Sequence, residues 1–578
     1  MSPNETFLVQ VNGRPAEARR GETLLDVCRH AGVDVPTLCH MPGLAPSGAC
    51  RICVVEVRGR GLVPSCSCPV EPGMSVETNS QSATRARKTI VELLLANHPD
   101  DCLYCVRHGE CELQDLAQRY GVRERRYVTA KNDHHVDISS PSLVRDPAKC
   151  ILCGKCVRVC EEVMGVAAID FIRRGSRTLV APAFNRGLNV STCINCGQCV
   201  MVCPTGALRE ESHLKEVRSA LDAPAVTVGV QHAPAVSVSL AEEFGLEPGA
   251  DVEALMVTAL RRLGFARVFD TSFAADLTIM EEASELVSRL KGGGRLPMFT
   301  SCSPGWVKFV EQFYPDLMPN LSTCKSPQQM MGAVVKRVWA AREGLDPRRV
   351  FSVAIMPCTA KKFEARRPEM GDAHDIPDVD AVLTTRELAR LIRLHGLDLA
   401  RMTPGAPDQP YGERSTAGKL FGGTGGVMEA ALRTAHWLVT GREMYHLTIG
   451  AVRGLDGVKE ARIKLDDVEL GVAVVSGLGR ARRLLEEIRA GRNDLHFIEV
   501  MTCPGGCVGG GGQPLRADTG ALKSRLEGLY RIDRSEPVRL SHRNRQVQEL
   551  YDEVLGEPLG ERSHELLHTG YHGRDGAV

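Results

Sequence analysis

Cysteine placement constrains this chain more than any other feature of its sequence. Of 22 cysteines, seventeen fall between Cys28 and Cys203, and the rest are Cys302, Cys324, Cys358, Cys503 and Cys507. Two stretches repeat one spacing: Cys150-x2-Cys153-x2-Cys156-x3-Cys160 and Cys193-x2-Cys196-x2-Cys199-x3-Cys203, the latter followed by Pro204. Thiols packed this closely leave little space for a large apolar core, so folding of this part depends on what they bind. The opening MSPNETFLVQVNGRP lacks a basic stretch followed by an apolar one, so no secretory signal is expected. Nor does any apolar run approach the roughly 18 residues of a membrane span. A cytoplasmic protein with reduced thiols is expected, and clustered cysteines then argue for metal rather than disulfides. Lys plus Arg (71) balances Asp plus Glu (71), which excludes a broad basic surface for nucleic acid and a polybasic membrane anchor. A length of 578 residues suggests about four domains.

Zinc does not explain C-x2-C-x2-C-x3-C-P. That run holds [4Fe–4S] clusters in two-cluster bacterial ferredoxins, where the fourth cysteine of each run crosses to the other cluster. Cys160 is therefore expected with Cys193, Cys196 and Cys199, and Cys203 with Cys150, Cys153 and Cys156. Upstream, Cys39, Cys50, Cys53 and Cys66 follow C-x10-C-x2-C-x12-C, which resembles plant-type [2Fe–2S] ligation with different gaps. A zinc site would show two compact pairs instead. Around these cysteines FLVQVNG and PAEARRGET read as a hairpin and TLLDVCRHAG as a short helix, with Cys28 on its core face and Cys68 unassigned. Next, His98-x3-Cys102-x2-Cys105-x5-Cys111 supplies three thiolates and an imidazole as fourth donor to a cubane, with His108 the second choice. Three small α+β iron–sulfur domains are expected: a β-grasp [2Fe–2S] unit over 1–80, a His-ligated [4Fe–4S] unit over 81–128, and a ferredoxin-like unit with two [4Fe–4S] clusters over 140–212.

The segment Glu216–Val230 marks the join to a larger α/β unit expected over 222–515, followed by a polar-amphipathic helical tail over 516–578. Three loops follow or end β-like runs: FTSCSPGW (Phe299–Trp306), MPCTAKKFE (Met356–Glu364) and EVMTCPGGCVGGGGQP (Glu499–Pro514). Cysteine-bearing loops at strand ends are where an α/β scaffold presents a site. The run Gly509–Gly512 is expected to let backbone approach a cofactor closely. It is not a phosphate loop, since no Lys-Ser/Thr follows.

Together the three loops resemble the signatures of [FeFe]-hydrogenases, and the upstream cluster order matches the clostridial-type members. The resemblance covers nearly the whole chain. It implies an H-cluster between two lobes of the α/β domain: a [4Fe–4S] cluster joined through a thiolate to a diiron unit carrying CO, CN⁻ and a bridging dithiolate amine, where H2 interconverts with protons and electrons. Carried over by position, Cys358, Cys503 and Cys507 are cluster ligands, Cys507 bridging to the diiron unit. Lys361 hydrogen-bonds a cyanide, Met356 and Met501 pack around the diiron site, and Glu364 supports the second loop. An ammonium, with three donors and a positive charge, suits an anionic ligand. One departure stands out: the family usually has two adjacent cysteines in the first loop, a proton relay and then a ligand, and here the pair is Cys302–Ser303. Ligand softness favours Cys302 as the ligand, with Ser303 or water in the relay; alignment favours Ser303 as ligand and Cys302 as relay. Cys302 is the expected ligand.

Glu282, Glu285 and Arg289 share one helix face at i, i+3, i+7. Charged stripes of this kind are commonly just solvated. The resemblance instead implies a proton path through Glu282, Ser322, Glu285 and Cys302, with Arg289 at its mouth. Cys324 is expected as a small buried apolar residue, and His542, His564 and His568 as scattered surface histidines. Implied partners, besides H2 and protons, are a ferredoxin or NAD(P)-linked diaphorase subunits, and maturation enzymes that build the diiron unit. Three other readings fit less of the chain. A sensory relative would carry an appended signalling domain, an assembly factor would lack the whole wire, and a respiratory iron–sulfur subunit would lack the three loops.

Overall fold

In the computed structural model, which describes residues 6–574 apart from 125, 130–133, 373, 466–467 and 516, the N-terminal alternation becomes a mixed sheet. Strands β1 (Thr6–Val11) and β2 (Arg14–Arg19) pair antiparallel across an Asn12–Gly13 turn whose φ angles are both positive, as a tight hairpin turn requires. Strands β3 (Val54–Val57), β4 (Gly61–Pro64) and β5 (Ser75–Glu77) complete the order β2-β1-β5-β3-β4. The helix Leu24–His30, begun by a capping box between Thr23 and Asp26, packs Leu24, Leu25 and Cys28 into the core with Val9 and Val76. The edges of the expected units at residues 1–5 and 516 lie outside the described residues.

The helix Gln81–Asn97 leads into the Cys102–Cys111 segment and the helix Glu112–Arg119. Beyond it, β6 (Leu143–Arg145) and β9 (Leu208–Glu210) pair antiparallel around both cysteine runs, with a hairpin of β7 (Asp170–Ile172) and β8 (Leu179–Ala181) between them. The core here is a thin set, Leu143, Val157, Ile169, Val200 and Leu208, packed among the cysteines themselves. Folding of such a segment draws on whatever the thiolates hold.

The remainder is built on two sheets. Strands β10 (Thr227–His232) and β11 (Arg267–Asp270) belong to one; β12 (Met298–Phe299) belongs to the other. Strands β13 (Val350–Met356) and β14 (Ala381–Thr384) complete the first as a parallel sheet of order β11-β10-β13-β14. Strands β15 (Val458–Leu465), β16 (Val468–Ser476) and β17 (Phe497–Met501) complete the second, β12-β17-β16-β15, parallel except for β15. The helix Thr271–Ser288 lies between the lobes. It gives Phe273, Leu277 and Met280 to one core and Ala275, Ile279 and Leu286 to another, which is why it is apolar nearly all round.

The tail helices Thr519–Ser535, Arg545–Leu550 and Glu561–Leu567 wrap this unit, and Val547, Leu550, Tyr551, Leu566 and Leu567 enter the first lobe's core. Two of the three histidines expected on its surface are buried: His542 stacks on Trp437, and His568 is held between polar groups; only His564 is exposed. No helix among the described residues is long and apolar enough to cross a membrane.

Candidate active site

All three loops leave the C-terminal ends of strands and meet at one cavity of about 80 Å³ between the sheets, where open parallel sheets place their ligands. Its walls include Ala233 and Pro234 after β10, Thr271 after β11, Cys302 and Ser303 after β12, Met356 to Cys358 at β13, and Met501 to Cys503 at β17. Cys507 and Gly510 close it from the third loop. Burial pushes the thiols of Cys358 and Cys503 up, and that of Cys507 up to about 12. Lys361 lines the same cavity. Its Nζ donates to Ser326 Oγ at 2.6 Å, Glu364 Oε2 at 2.8 Å and the Cys302 carbonyl at 3.2 Å. Ser326 and Gln328 in turn donate to the same Glu364 Oε2, so the ammonium is aimed by a buried carboxylate that three donors share.

Cys302 and Ser303 face different neighbours. Ser303 caps the helix Pro304–Phe313 from an extended backbone (φ −104°, ψ 102°), in which successive side chains point to opposite sides. Its hydroxyl bonds Thr502 Oγ1 at 2.7 Å and accepts from Thr502 N at 3.3 Å, beside Cys503. Cys302 is half-buried; desolvation first, then the Glu282 charge, raises its thiol, with Lys361 opposing.

From there the helix Thr271–Ser288 carries a line of polar groups outward. Glu282 is fully buried, its carboxylate without a hydrogen-bond partner among the described residues. Burial first, then the neighbouring Glu285 charge, pushes it up to about 8. Glu285 Oε2 accepts from Ser322 Oγ at 2.7 Å, and its Oε1 accepts from Arg289 Nη2 at 2.6 Å. Arg289 also donates to the carbonyls of Asn320 and Leu321, closing the outer end of the line. The tail braces this region: His568 bonds Thr323 Oγ1 through Nδ1 (2.8 Å) and Glu281 Oε2 through Nε2 (3.1 Å). Thr323 N donates to Glu285. Cys324 is buried, as expected.

The N-terminal cysteines assemble in the expected sets. Cys160 shares one small cavity with Cys193, Cys196 and Cys199, and Cys203 shares another with Cys150, Cys153 and Cys156. The thiols of Cys39, Cys50, Cys53 and Cys66 lie within hydrogen-bonding reach of one another. Cys28 is core, and the Cys68 thiol bonds the neighbouring Pro69 carbonyl. Cys105 and Cys102 both act electrostatically on the Cys111 thiol, while His98 is buried with Nδ1 on the Pro99 carbonyl at 3.1 Å; His108 is exposed.

The glycine run does something other than approach a cofactor along its whole length. A Cβ on Gly511 would stand 2.2 Å from the Cys196 carbonyl, and one on Gly510 2.1 Å from that of Pro357. The run lets the third loop lie directly against the second ferredoxin-type segment, where Gln198 Nε2 donates to the Gly509 carbonyl at 2.9 Å and Thr359 Oγ1 to that of Asn195 at 2.7 Å. Sequence reasoning missed Thr502, Ser326, Gln328 and Gln198. Each is a neutral polar residue whose only signal is its neighbour in another loop.

Comparison with known proteins agrees with this geometry. The family model described as "Iron only hydrogenase large subunit, C-terminal domain" matches residues 226–511, and "Iron hydrogenase small subunit" matches 519–574. Upstream, a 2Fe-2S binding domain matches 4–81, an NADH-ubiquinone oxidoreductase-G iron-sulfur binding region 87–126, and a 4Fe-4S dicluster domain 149–207. The chain is 48% identical to the NADP-reducing hydrogenase subunit HndD of Solidesulfovibrio fructosivorans over 97% of its length and 98% of the relative. It is 41% identical to iron hydrogenase 1 of Clostridium pasteurianum, over 97% and 99% respectively. A solved structure of a variant of [FeFe]-hydrogenase HydA1 from Chlamydomonas reinhardtii matches 64% of the chain and all of its own, with TM-score 0.58 and 44% identity.

Proposed function

The chain belongs to the [FeFe]-hydrogenase family, and from that premise we propose how its own residues serve the interconversion of H2 with protons and electrons. The observation that carries the reading is the meeting of Cys358, Cys503, Cys507 and Lys361 at one buried cavity between two sheets. The donor set fits an iron–sulfur cubane with an anionic diiron unit: soft thiolates for iron, an aimed ammonium, and apolar walls from Met356 and Met501. Cys358, Cys503 and Cys507 would hold the cubane, and Cys507 would also serve the diiron unit. Lys361 would donate to an anionic cyanide ligand of that unit. When bound, the diiron unit supplies the reversible heterolysis of H2.

Thiolate softness favours Cys302 as the fourth donor, but the contacts support the opposite division. The Ser303 hydroxyl is bonded to Thr502, beside Cys503, and Glu282 is the first charge acting on the Cys302 thiol. We therefore take Ser303 as the residue at the cubane's fourth corner and Cys302 as the innermost proton carrier. Glu282, kept protonated near neutral pH, passes protons between Cys302 and the Ser322–Glu285–Arg289 line.

Cys160, Cys193, Cys196 and Cys199, whose segment adjoins the third loop at Gly511, would hold the cluster next to the site, and Cys150, Cys153, Cys156 and Cys203 the one beyond it; the two would supply electron transfer. Cys39, Cys50, Cys53 and Cys66 would hold a [2Fe–2S] cluster and Cys102, Cys105, Cys111 and His98 a [4Fe–4S] cluster as the exits, with Nε2 the imidazole's available nitrogen because Nδ1 bonds Pro99. Likeness to an NADP-reducing hydrogenase subunit supports NAD(P)-linked diaphorase partners, with ferredoxin the other acceptor. Maturation enzymes and a cytoplasmic setting complete the proposal. Reconstituting the chain with iron and sulfide alone tests the ligand assignment. Cys358→Ala should lose one [4Fe–4S] cluster by Mössbauer iron count and leave the other four clusters intact; an unchanged count would remove Cys358 from the site.

A further inference from the structure

We propose that the β7–β8 hairpin and the loop after it are a docking surface for an acidic one-electron carrier protein, through which electrons also leave the cluster of Cys150, Cys153, Cys156 and Cys203. The inference rests on reading those cysteines as cluster ligands. Residues 171–192 contain Arg173, Arg174, Arg177 and Arg186 and no Asp or Glu, in a chain whose charges balance as a whole. Arg173, Arg174 and Arg177 are exposed and make no ion pair among the described residues; the nearest acidic residues in sequence are Asp170 at the hairpin's base and Glu162 before it. Two aromatic rings stand in the same surface, Phe184 at 87% exposure and Phe171 at 42%. A mixture of unpaired arginine and exposed aromatic side chains is the composition of a protein–protein contact rather than of a merely solvated face.

The backbone is held in this presentation. Arg173, Phe184 and Asn185 all have positive φ (63°, 57° and 55°), which a bulky residue such as Phe adopts only under constraint. The constraint is visible: the buried Arg145 donates to the Val180 carbonyl and to Asn185 Oδ1, both at 3.2 Å. The same hairpin is the wall between cluster and solvent. Val180 of β8 lines the cavity of the four cysteines, and the Phe171 ring stands 3.2 Å from where a Cβ on Gly154, next to Cys153, would be. A carrier seated on this hairpin would thus have Val180 and Phe171 between it and the cysteine cavity. The positive lobe steers an acidic partner and rejects a basic one. Each H2 oxidised to two protons yields two electrons, and these reduce two molecules of a one-electron carrier.

The test uses the complete, diiron-loaded chain under H2 and compares reduction of a small acidic ferredoxin with reduction of methyl viologen as salt is raised. The wild type should reduce the ferredoxin with a steep salt dependence. The charge-reversed variant R173E/R174E/R177E should lose about tenfold or more in kcat/KM for ferredoxin at low salt, in the range that electrostatic steering supplies. Its viologen rate should stay unchanged, and R173Q/R174Q/R177Q should fall between. A ferredoxin rate equal to wild type in the reversed variant would overturn the proposal, as would burial of these arginines in a dimer of this chain. Failure of the wild type to reduce viologen at all would instead overturn the hydrogenase reading beneath it.

Discussion

Glu282 is an acid buried without a partner among the described residues, and its raised proton affinity has a sign that can be followed. Between the ordinary carboxyl value of 4.5 and about 8, the folded chain binds this proton and the unfolded chain does not, so its contribution to stability falls as pH rises through that window. Glu282→Gln should flatten the pH dependence of thermal stability across the same window. It should also cut hydrogen evolution by about 100-fold, the scale of a lost acid–base group. A melting profile that keeps its slope would place the buried proton elsewhere. The Cys302–Ser303 division makes a separate prediction. With the cubane alone loaded, Ser303→Ala should shed one iron on mild oxidation and give a [3Fe–4S] EPR signal, whereas Cys302→Ala should not; the reverse pattern would make Cys302 the donor. At this scale the sequence was only half legible. Thiols announce themselves by spacing, so the quartets with crossed Cys160 and Cys203 could be read in advance. Thr502 could not, because its importance lies in a hydroxyl contact with a residue 199 positions away.

Strands and loops carried their own signals. The runs ending at Phe299, Met356 and Met501 are strands, and the three loops emerge from their ends as the apolar patterns required. The tail did not reveal its role, because a polar-amphipathic helix reads the same whether it wraps a surface or braces a buried loop. Its end pairs with the Thr323–Lys325 segment through Lys325 N to the Leu567 carbonyl (2.8 Å) and Thr569 N to the Thr323 carbonyl (2.9 Å). His568 completes the brace between Glu281 and Thr323. His568→Phe takes the imidazole partner from the Thr323 hydroxyl, at about 1–3 kcal/mol, while Glu281 keeps the Tyr551 hydroxyl and the Leu559 amide. Dye-driven hydrogen evolution should fall because Ser322 and Glu285 lose their support, while the EPR spectra of the clusters stay as in wild type. Altered cluster spectra would mean the tail supports the metal site rather than the proton line. Gly511→Ala makes the complementary test. A methyl group 2.2 Å from the Cys196 carbonyl must push the third loop off the wire, so electron transfer from the N-terminal clusters should slow while the proton line stays intact.

On the scale of the molecule, the wire and the catalytic unit are not beads on a string. Met164, Val166, Ala168 and Ile194 of the two-cluster segment share one apolar core with Trp306, Phe309 and Ile498. Two polar bonds, from Gln198 and Thr359, cross the same boundary. Val166→Asp buries an unpaired charge in that core and should loosen the join, seen as faster proteolysis around 222–226 and a lower melting temperature for the catalytic unit. Unaltered proteolysis would make the shared core incidental. Composition could bound the number of domains but not this shared face, since each apolar residue in it serves equally well as a private core.

The most direct test of the central claim is infrared spectroscopy and hydrogen evolution with reduced methyl viologen, on protein loaded with a synthetic diiron complex. The convergence of Cys358, Cys503, Cys507 and Lys361 predicts CO and CN⁻ bands together with rapid turnover, both lost in Cys507→Ala. Absence of any bands in the loaded wild type would contradict the claim, because the cavity would then not be a site for the diiron unit.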